Sequence, residues 1–241
     1  MTAEIFRQIG TPRRGGIVAI CDHASNHVPD DIHLGLAPER MEQHIAWDIG
    51  TAGICERLAL DHGIPAILAG FSRLVIDANR EEDSPGLIPE SSDGVLVPGN
   101  IGADREARLV RFYRPYHAEV ARWLAEVDPG LVLAIHSFTP SLESAPTARP
   151  WEIALLYNED DRAARHGLRL LRELGFVTGE NEPYSGKGLN QTMNRHAEAH
   201  GRPYLGFEIR QDLIADEAGQ ARFAATVADV AGRVALALEA S

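Results

Sequence analysis

The sequence predicts an α/β fold: one domain over residues 1–241, built on a mostly parallel mixed sheet with helices on both faces. Three observations predict it. Short apolar runs of strand length alternate with segments of helical period along the whole chain. The runs are apolar throughout and rich in β-branched residues, which suits buried strands. A chain of 241 residues is long enough to bury a substantial core without staples.

The elements follow in order. Gly16 to Cys21 (GIVAIC) is a buried strand. Ile49 to His62 is a helix, with Ile54 and Leu58 one turn apart and Gly63 in the position that ends helices. Pro65 to Phe71 and Arg73 to Asp77 (RLVID) read as two further strands. Glu81 to Ile101 is rich in Pro, Gly and Ser and has no apolar period, so it is a long loop, and long loops often carry function. Asp104 suits the N-cap of a helix reaching Val127, with Leu109, Phe112, Tyr116, Val120, Trp123, Leu124 and Val127 on one apolar stripe. Leu131 to Ile135 (LVLAI) and Glu152 to Tyr157 are strands, and Asp160 to Leu174 a helix. Gly179 to Gly188 is a turn-rich loop, Asn190 to His200 a helix, Tyr204 to Ile209 the last strand and Asp216 to Glu239 the last helix.

Composition excludes several classes of function. The net charge of −12, with no basic run longer than Arg13-Arg14, tells against a nucleic-acid partner. No stretch approaches the roughly 18 continuous apolar residues of a membrane span. Met1 to Arg14 is polar and lacks a signal-peptide core. Two cysteines, Cys21 and Cys55, are too few for a disulfide framework, and a cytoplasmic location is the expectation.

Ligands of open α/β sheets bind beyond the carboxyl ends of the strands. The residues that follow the apolar runs are therefore informative. Asp22-His23-Ala24-Ser25-Asn26-His27 follows the first run, Ala78-Asn79-Arg80 follows RLVID, His136-Ser137 follows LVLAI, and Glu208, Arg210 and Asp212 lie in or after the last strand. Histidines at strand ends are often satisfied by backbone alone. Two at matching positions, however, point to a metal, because imidazole is the commonest zinc ligand and catalytic zinc sites use three protein ligands plus an open position. His23 and His136 are two candidate ligands. The third is Asp48, at the start of the first helix, or Asn26, three residues after His23; a carboxylate is the better zinc ligand. Asp48 also suits a plain N-cap.

Glu208 stands between Phe207 and Ile209 in an apolar strand, where an unpaired carboxylate is costly. It is the candidate general base for an activated water, unless it pairs with Arg80 or Arg210. Arg80 and Asn79 suit a substrate carboxylate, because a guanidinium fork binds it bidentately and an amide adds a further bond. Arg73 is a candidate to stabilise a developing oxyanion. Arg210 is a candidate for a second carboxylate or for orienting Glu208, and Asn26 for substrate contact. His196 and His200 are four apart on a helix but lack the glutamate of H-E-x-x-H, so they read as cations at a helix C-terminus. His117, within the long helix, faces either cleft or solvent.

The blocks CDHASNHVPDD (Cys21–Asp31), HIAWDIGTAG (His44–Gly53), SRLVIDANRE (Ser72–Glu81), FYRPYHAEV (Phe112–Val120), AIHSFTP (Ala134–Pro140), LLYNEDDRAA (Leu155–Ala164), NEPYSG (Asn181–Gly186) and FEIRQDLI (Phe207–Ile214) occur in that order. This pattern resembles the N-formylglutamate amidohydrolase family over roughly residues 15 to 215. The resemblance implies a fold like that of the zinc carboxypeptidases and aspartoacylases. It also implies one divalent metal, zinc first, a small acidic N-acyl amino acid as substrate, and a place in amino-acid catabolism. Asp77-Ala78-Asn79-Arg80 is similar to the carboxypeptidase D-x-N-R segment, whose Asn and Arg hold the substrate carboxylate. His136-Ser137 resembles the second zinc histidine with its serine, and Glu208 falls at the general-base position. The carboxypeptidase H-x-x-E is absent, since Asn26 stands where its glutamate would be. Zinc amidases of cell walls take their acidic ligand from a later helix, an arrangement that Asp48 matches.

Overall fold

Seven strands form one sheet: β1 (Phe6–Ile9), β2 (Ile17–Cys21), β3 (Ala66–Ala69), β6 (Leu131–Phe138), β7 (Ile153–Leu156), β8 (Thr178–Glu180) and β9 (Tyr204–Arg210), with a separate hairpin of β4 (Ser91–Ser92) and β5 (Val95–Leu96). These elements belong to a computed structural model that describes residues 5–240. Ser241 and the first four residues of the polar segment Met1 to Arg14 lie outside the described residues. The spatial order is β1-β3-β2-β6-β9-β7-β8. Pairings β3-β2, β2-β6, β6-β9 and β7-β8 are parallel, and β1-β3 and β9-β7 are antiparallel, so the sheet is mixed and mostly parallel as predicted.

Side-chain alternation divides the core between the two faces. On β2, Ala19 and Cys21 join a cluster with Ile54 and Leu58 of α2 (Thr51–Asp61), Leu168 and Leu171 of α5 (Arg162–Glu173), and Phe223 and Val227 of α7 (Glu217–Glu239). Val18 and Ile20 join the opposite cluster with Tyr116, Val120 and Leu124 of α4 (Arg114–Val127). Helices thus cover both faces, and the central strands are buried on each side. Among the described residues no helix is long and apolar enough to cross a membrane.

Asp104 caps the long helix as expected, accepting from the Ala107 N–H at 2.9 Å. That helix is not uniform. It runs from α3 (Arg105–Arg108) through a π-helical turn (Leu109–Tyr113) into α4. Pro115, which has no N–H to donate, follows the widened turn.

Other expectations are corrected. Arg73 to Asp77 is no strand but a chain of turns, with the Val75 N–H donating to Ser72 O and the Arg80 N–H to Asp77 O. Its carbonyls are met by side chains: Asn100 Nδ2 donates to Leu74 O at 2.9 Å and Arg108 Nη1 to Val75 O at 2.7 Å. The run is apolar because Leu74 and Val75 enter two different clusters. The LVLAI strand runs three residues further, to Phe138, so His136 lies inside it. The loop from Glu81 to Ile101 contains the β4-β5 hairpin, turned by Asp93 and Gly94 at positive φ, and a 3-10 turn at Pro98–Asn100. The Asn190 to His200 segment is α6 (Gln191–His196) followed by a 3-10 turn. β1 and β8 have no apolar signature in the sequence; they are short outer strands with partly exposed residues.

Candidate metal centre and active site

The pairing register brings the chemistry together. His136 and Glu208 are direct partners on parallel β6 and β9, so both side chains leave the same sheet face side by side. His23 follows β2, the other neighbour of β6. Asp48 enters from the loop before α2, where its N–H donates to His23 O at 2.9 Å. Gly50 is the N-cap of α2, not Asp48. Gly50 has φ 86°, and a Cβ there would meet Ile214 O at 2.3 Å, so only glycine allows this approach.

Both ring Nδ1 atoms face Asp48 Oδ2, at 3.4 Å from His23 and 2.9 Å from His136. The ligand atoms of these three buried residues lie within 4.8 Å of one another. A carboxylate stands on the far side of each ring. His23 Nε2–H donates to Asp77 Oδ1 at 2.7 Å, and His136 Nε2 stands 3.5 Å from Asp22 Oδ2. With those nitrogens protonated, both Nδ1 lone pairs and the Asp48 oxygen converge on one point, an arrangement that could hold a metal ion. Carboxylate–histidine pairs of this kind orient metal ligands.

The charge around the three residues suits a cation. Asp22, Asp48, Asp77 and Glu208 are buried, and the guanidinium groups beside them are Arg73, paired with Asp48 and Asp77, and Arg80, 3.9 Å from Asp77. With Glu208 ionised and both rings neutral, that leaves two negative charges, a deficit that a divalent ion or protonation of His23 and His136 can balance. Burial alone would raise the Asp48 carboxyl, but His23, His136 and Arg73 outweigh it and hold it well below the usual carboxylate range. Burial opposes a charged His136, yet Asp22 and Asp48 raise its pKa well above the ordinary value. The donor set fits a divalent metal, and zinc accepts two imidazoles and a carboxylate.

A cavity of about 270 Å³ opens over this centre. His23, Asp48, Arg73, Asn79, Arg80, His136 and Glu208 all line it. Buried Glu208 Oε2 has no hydrogen-bond partner among the described residues. An unsatisfied buried carboxylate oxygen is expensive, which argues against a structural role. Burial pushes the Glu208 carboxyl up to about 7, although His136 and Arg73 work against the rise.

The turn carrying Asn79 and Arg80 is held from behind. His117 Nε2–H donates to Ala78 O at 2.9 Å, Tyr113 OH to Arg80 O at 2.7 Å, and the Thr192 N–H to Asn79 Oδ1 at 3.0 Å. Asn79 therefore keeps its Nδ2 donors for the cavity. His196 Nε2–H donates to His117 Nδ1 at 2.8 Å. Burial lowers His196 to about 3 and His117 to about 4. Both are neutral core residues: His196 is no helix-end cation, and His117 faces neither cleft nor solvent.

Two candidates fall outside. Asn26 is neither ligand nor cavity residue; its Nδ2 donates to Met41 O at 3.0 Å and Glu42 Oε1 at 3.3 Å, tying down the loop after β2. Arg210 shares the alternation of Glu208 but lies at the strand end, where its fork closes on Asp212 at 2.8 and 3.3 Å. Other residues of the site carry no signal of their role in the sequence. Asp22 and Asp77 stand within the motifs, but spacing alone does not place them behind the rings. His44, Asp93 and Tyr184 also line the cavity. The Asp93-Gly94 dipeptide is a recognisable hairpin signal that would have flagged Asp93.

A family model described as N-formylglutamate amidohydrolase matches residues 15–215. No match was found among curated proteins. Gene product Atu2144 of Agrobacterium tumefaciens is similar in structure, with TM-score 0.92 and 31% identity over 98% of this chain and 96% of that one. An N-formylglutamate amidohydrolase from Ralstonia eutropha JMP134 superposes with TM-score 0.72 and 23% identity, over 97% of this chain and 98% of that one. A bacteriophage poly-gamma-glutamate hydrolase shares the fold at TM-score 0.50 and 9% identity, over 98% and 90% of the two chains. The chain belongs to the N-formylglutamate amidohydrolase family, and amide hydrolysis is the class of its reaction.

Proposed function

We propose that this protein hydrolyses the amide bond of an N-formyl, or other small N-acyl, acidic amino acid, with N-formyl-L-glutamate, giving formate and L-glutamate, as first candidate. The convergence of His23 Nδ1, Asp48 Oδ2 and His136 Nδ1 beneath a cavity lined by Glu208 and Arg80 carries the reading. His23, Asp48 and His136 would hold one divalent metal, zinc first. When bound, that ion supplies Lewis acidity and lowers the pKa of water in the cleft towards neutrality.

The chain's own residues supply the remaining steps. Arg80 and Asn79 Nδ2 bind a substrate carboxylate and fix the acyl group over the centre. Glu208 takes the proton of the attacking water and passes it to the leaving amine nitrogen. Arg73, clamped by Asp48 and Asp77, places positive charge beside the developing oxyanion. Asp77 holds the tautomer of the His23 ring, and Asp22 places negative charge behind His136. At about 270 Å³ the cavity lies just below the roughly 300–1,000 Å³ of drug-sized sites, which suits a small substrate.

The test is release of L-glutamate by zinc-supplemented protein from N-formyl-L-glutamate, compared with release from the N-acetyl and N-benzoyl analogues. Highest kcat/KM on the formyl substrate, declining as the acyl group grows, is the expected order. Preference for the benzoyl compound would instead make the protein a hydrolase of larger N-acyl groups.

A further inference from the structure

The cavity wall carries one imidazole outside the ligand set. His44 lines the cavity, its side chain one-fifth exposed at 20%. Its Nε2–H donates to Asp93 Oδ2 at 3.0 Å. Asp93 stands at the tip of the β4-β5 hairpin with its side chain 3% exposed, and it is held by three more donors: the Glu143 and Ser144 N–H groups, each at 2.8 Å, and the Ser144 hydroxyl at 2.5 Å. These bonds join three segments far apart in sequence and fix the ring against the cavity. His44 Nδ1 has no hydrogen-bond partner among the described residues.

The other cations of the cleft are accounted for. Both Arg73 terminal nitrogens are engaged by Asp48 and Asp77. Arg80 makes no side-chain hydrogen bond among the described residues, so its fork serves one carboxylate. A dicarboxylic substrate brings a second, and Arg210 is closed on Asp212 outside the cavity.

We infer that His44, braced by Asp93, is the second anion contact of the cleft and selects N-acyl amino acids with a carboxylate side chain over neutral ones. This rests on the proposed N-acyl amino-acid hydrolase reading. Arg80 and Asn79 take one carboxylate. The other meets the ring at Nδ1, with Asp93 Oδ2 holding Nε2 from behind.

The experiment uses zinc-loaded wild type and His44→Gln, whose amide preserves a donor towards Asp93 but removes Nδ1; His44→Leu, which removes both ring nitrogens, is the second probe should the first not fold. N-formyl-L-glutamate is compared with N-formyl-L-glutamine by kcat/KM, and glutarate with butyrate by calorimetric binding. The ratio favouring the diacid is expected to fall by about 10- to 100-fold in the variant, the size of a lost charged hydrogen bond, with the change in KM. The preference of binding for glutarate over butyrate falls with it. An unchanged ratio, or equal loss on both substrates, overturns the role of His44. Should wild type release no formate from either substrate, the functional reading fails, and the glutarate–butyrate comparison alone decides His44.

Discussion

Glu208→Gln is expected to lower kcat for formate release by about 10²- to 10⁴-fold, the range of a lost general acid–base group, while bound metal per chain is unchanged. Gln preserves shape and burial, and Glu208 is outside the His23, Asp48, His136 set, so the variant separates proton transfer from metal binding. Steady-state kinetics with metal analysis on the same sample reads both. Near wild-type turnover would remove Glu208 from the mechanism. The wild-type pH profile follows from the same residue. Glu208 acts as base when ionised, so kcat/KM falls as pH drops through its pKa. Burial pushes that pKa up to about 7, and the charge of a bound cation lowers it, so the acid limb is expected at or below pH 7. The limb disappears in Glu208→Gln.

Arg80→Ala is expected to cut kcat/KM on N-formyl-L-glutamate by roughly 100-fold or more, chiefly through KM. Two charge-assisted hydrogen bonds are lost, each worth about 1.5–3 kcal/mol. Arg80→Lys restores only part, because an ammonium is a point charge and cannot form the fork. The Tyr113, His117 and Thr192 contacts act on the backbone around Arg80 and on Asn79, so the turn persists in both variants and melting temperature stays within a few degrees. Equal KM in wild type and Arg80→Ala would place the substrate carboxylate elsewhere.

Much of this site is legible in the sequence because the sheet enforces a positional rule. His23 and His136 end or close neighbouring strands, and Glu208 follows from alternation within the last strand, so their convergence needs only parallel pairing of β2, β6 and β9. The apolar runs carry the fold class for the same reason. What escapes is set by contacts that sequence does not contain. RLVID has strand composition, but Asn100 and Arg108 satisfy its carbonyls, and those partners lie 26 and 33 residues away. Arg210 sits on the face alternation assigns it, yet alternation does not say that Asp212 captures its fork. His44 is anonymous until the hairpin folds and Asp93 arrives from 49 residues away.

The central claim is that His23, Asp48 and His136 hold one divalent ion needed for amide hydrolysis. The most direct measurement is metal content of the purified protein, with formate release from N-formyl-L-glutamate recorded before chelation, after it, and after zinc is restored. One metal per chain, activity lost on chelation and regained with zinc, is the predicted result. Full formate release from metal-free protein, or no binding of added zinc by a folded chain, would contradict it.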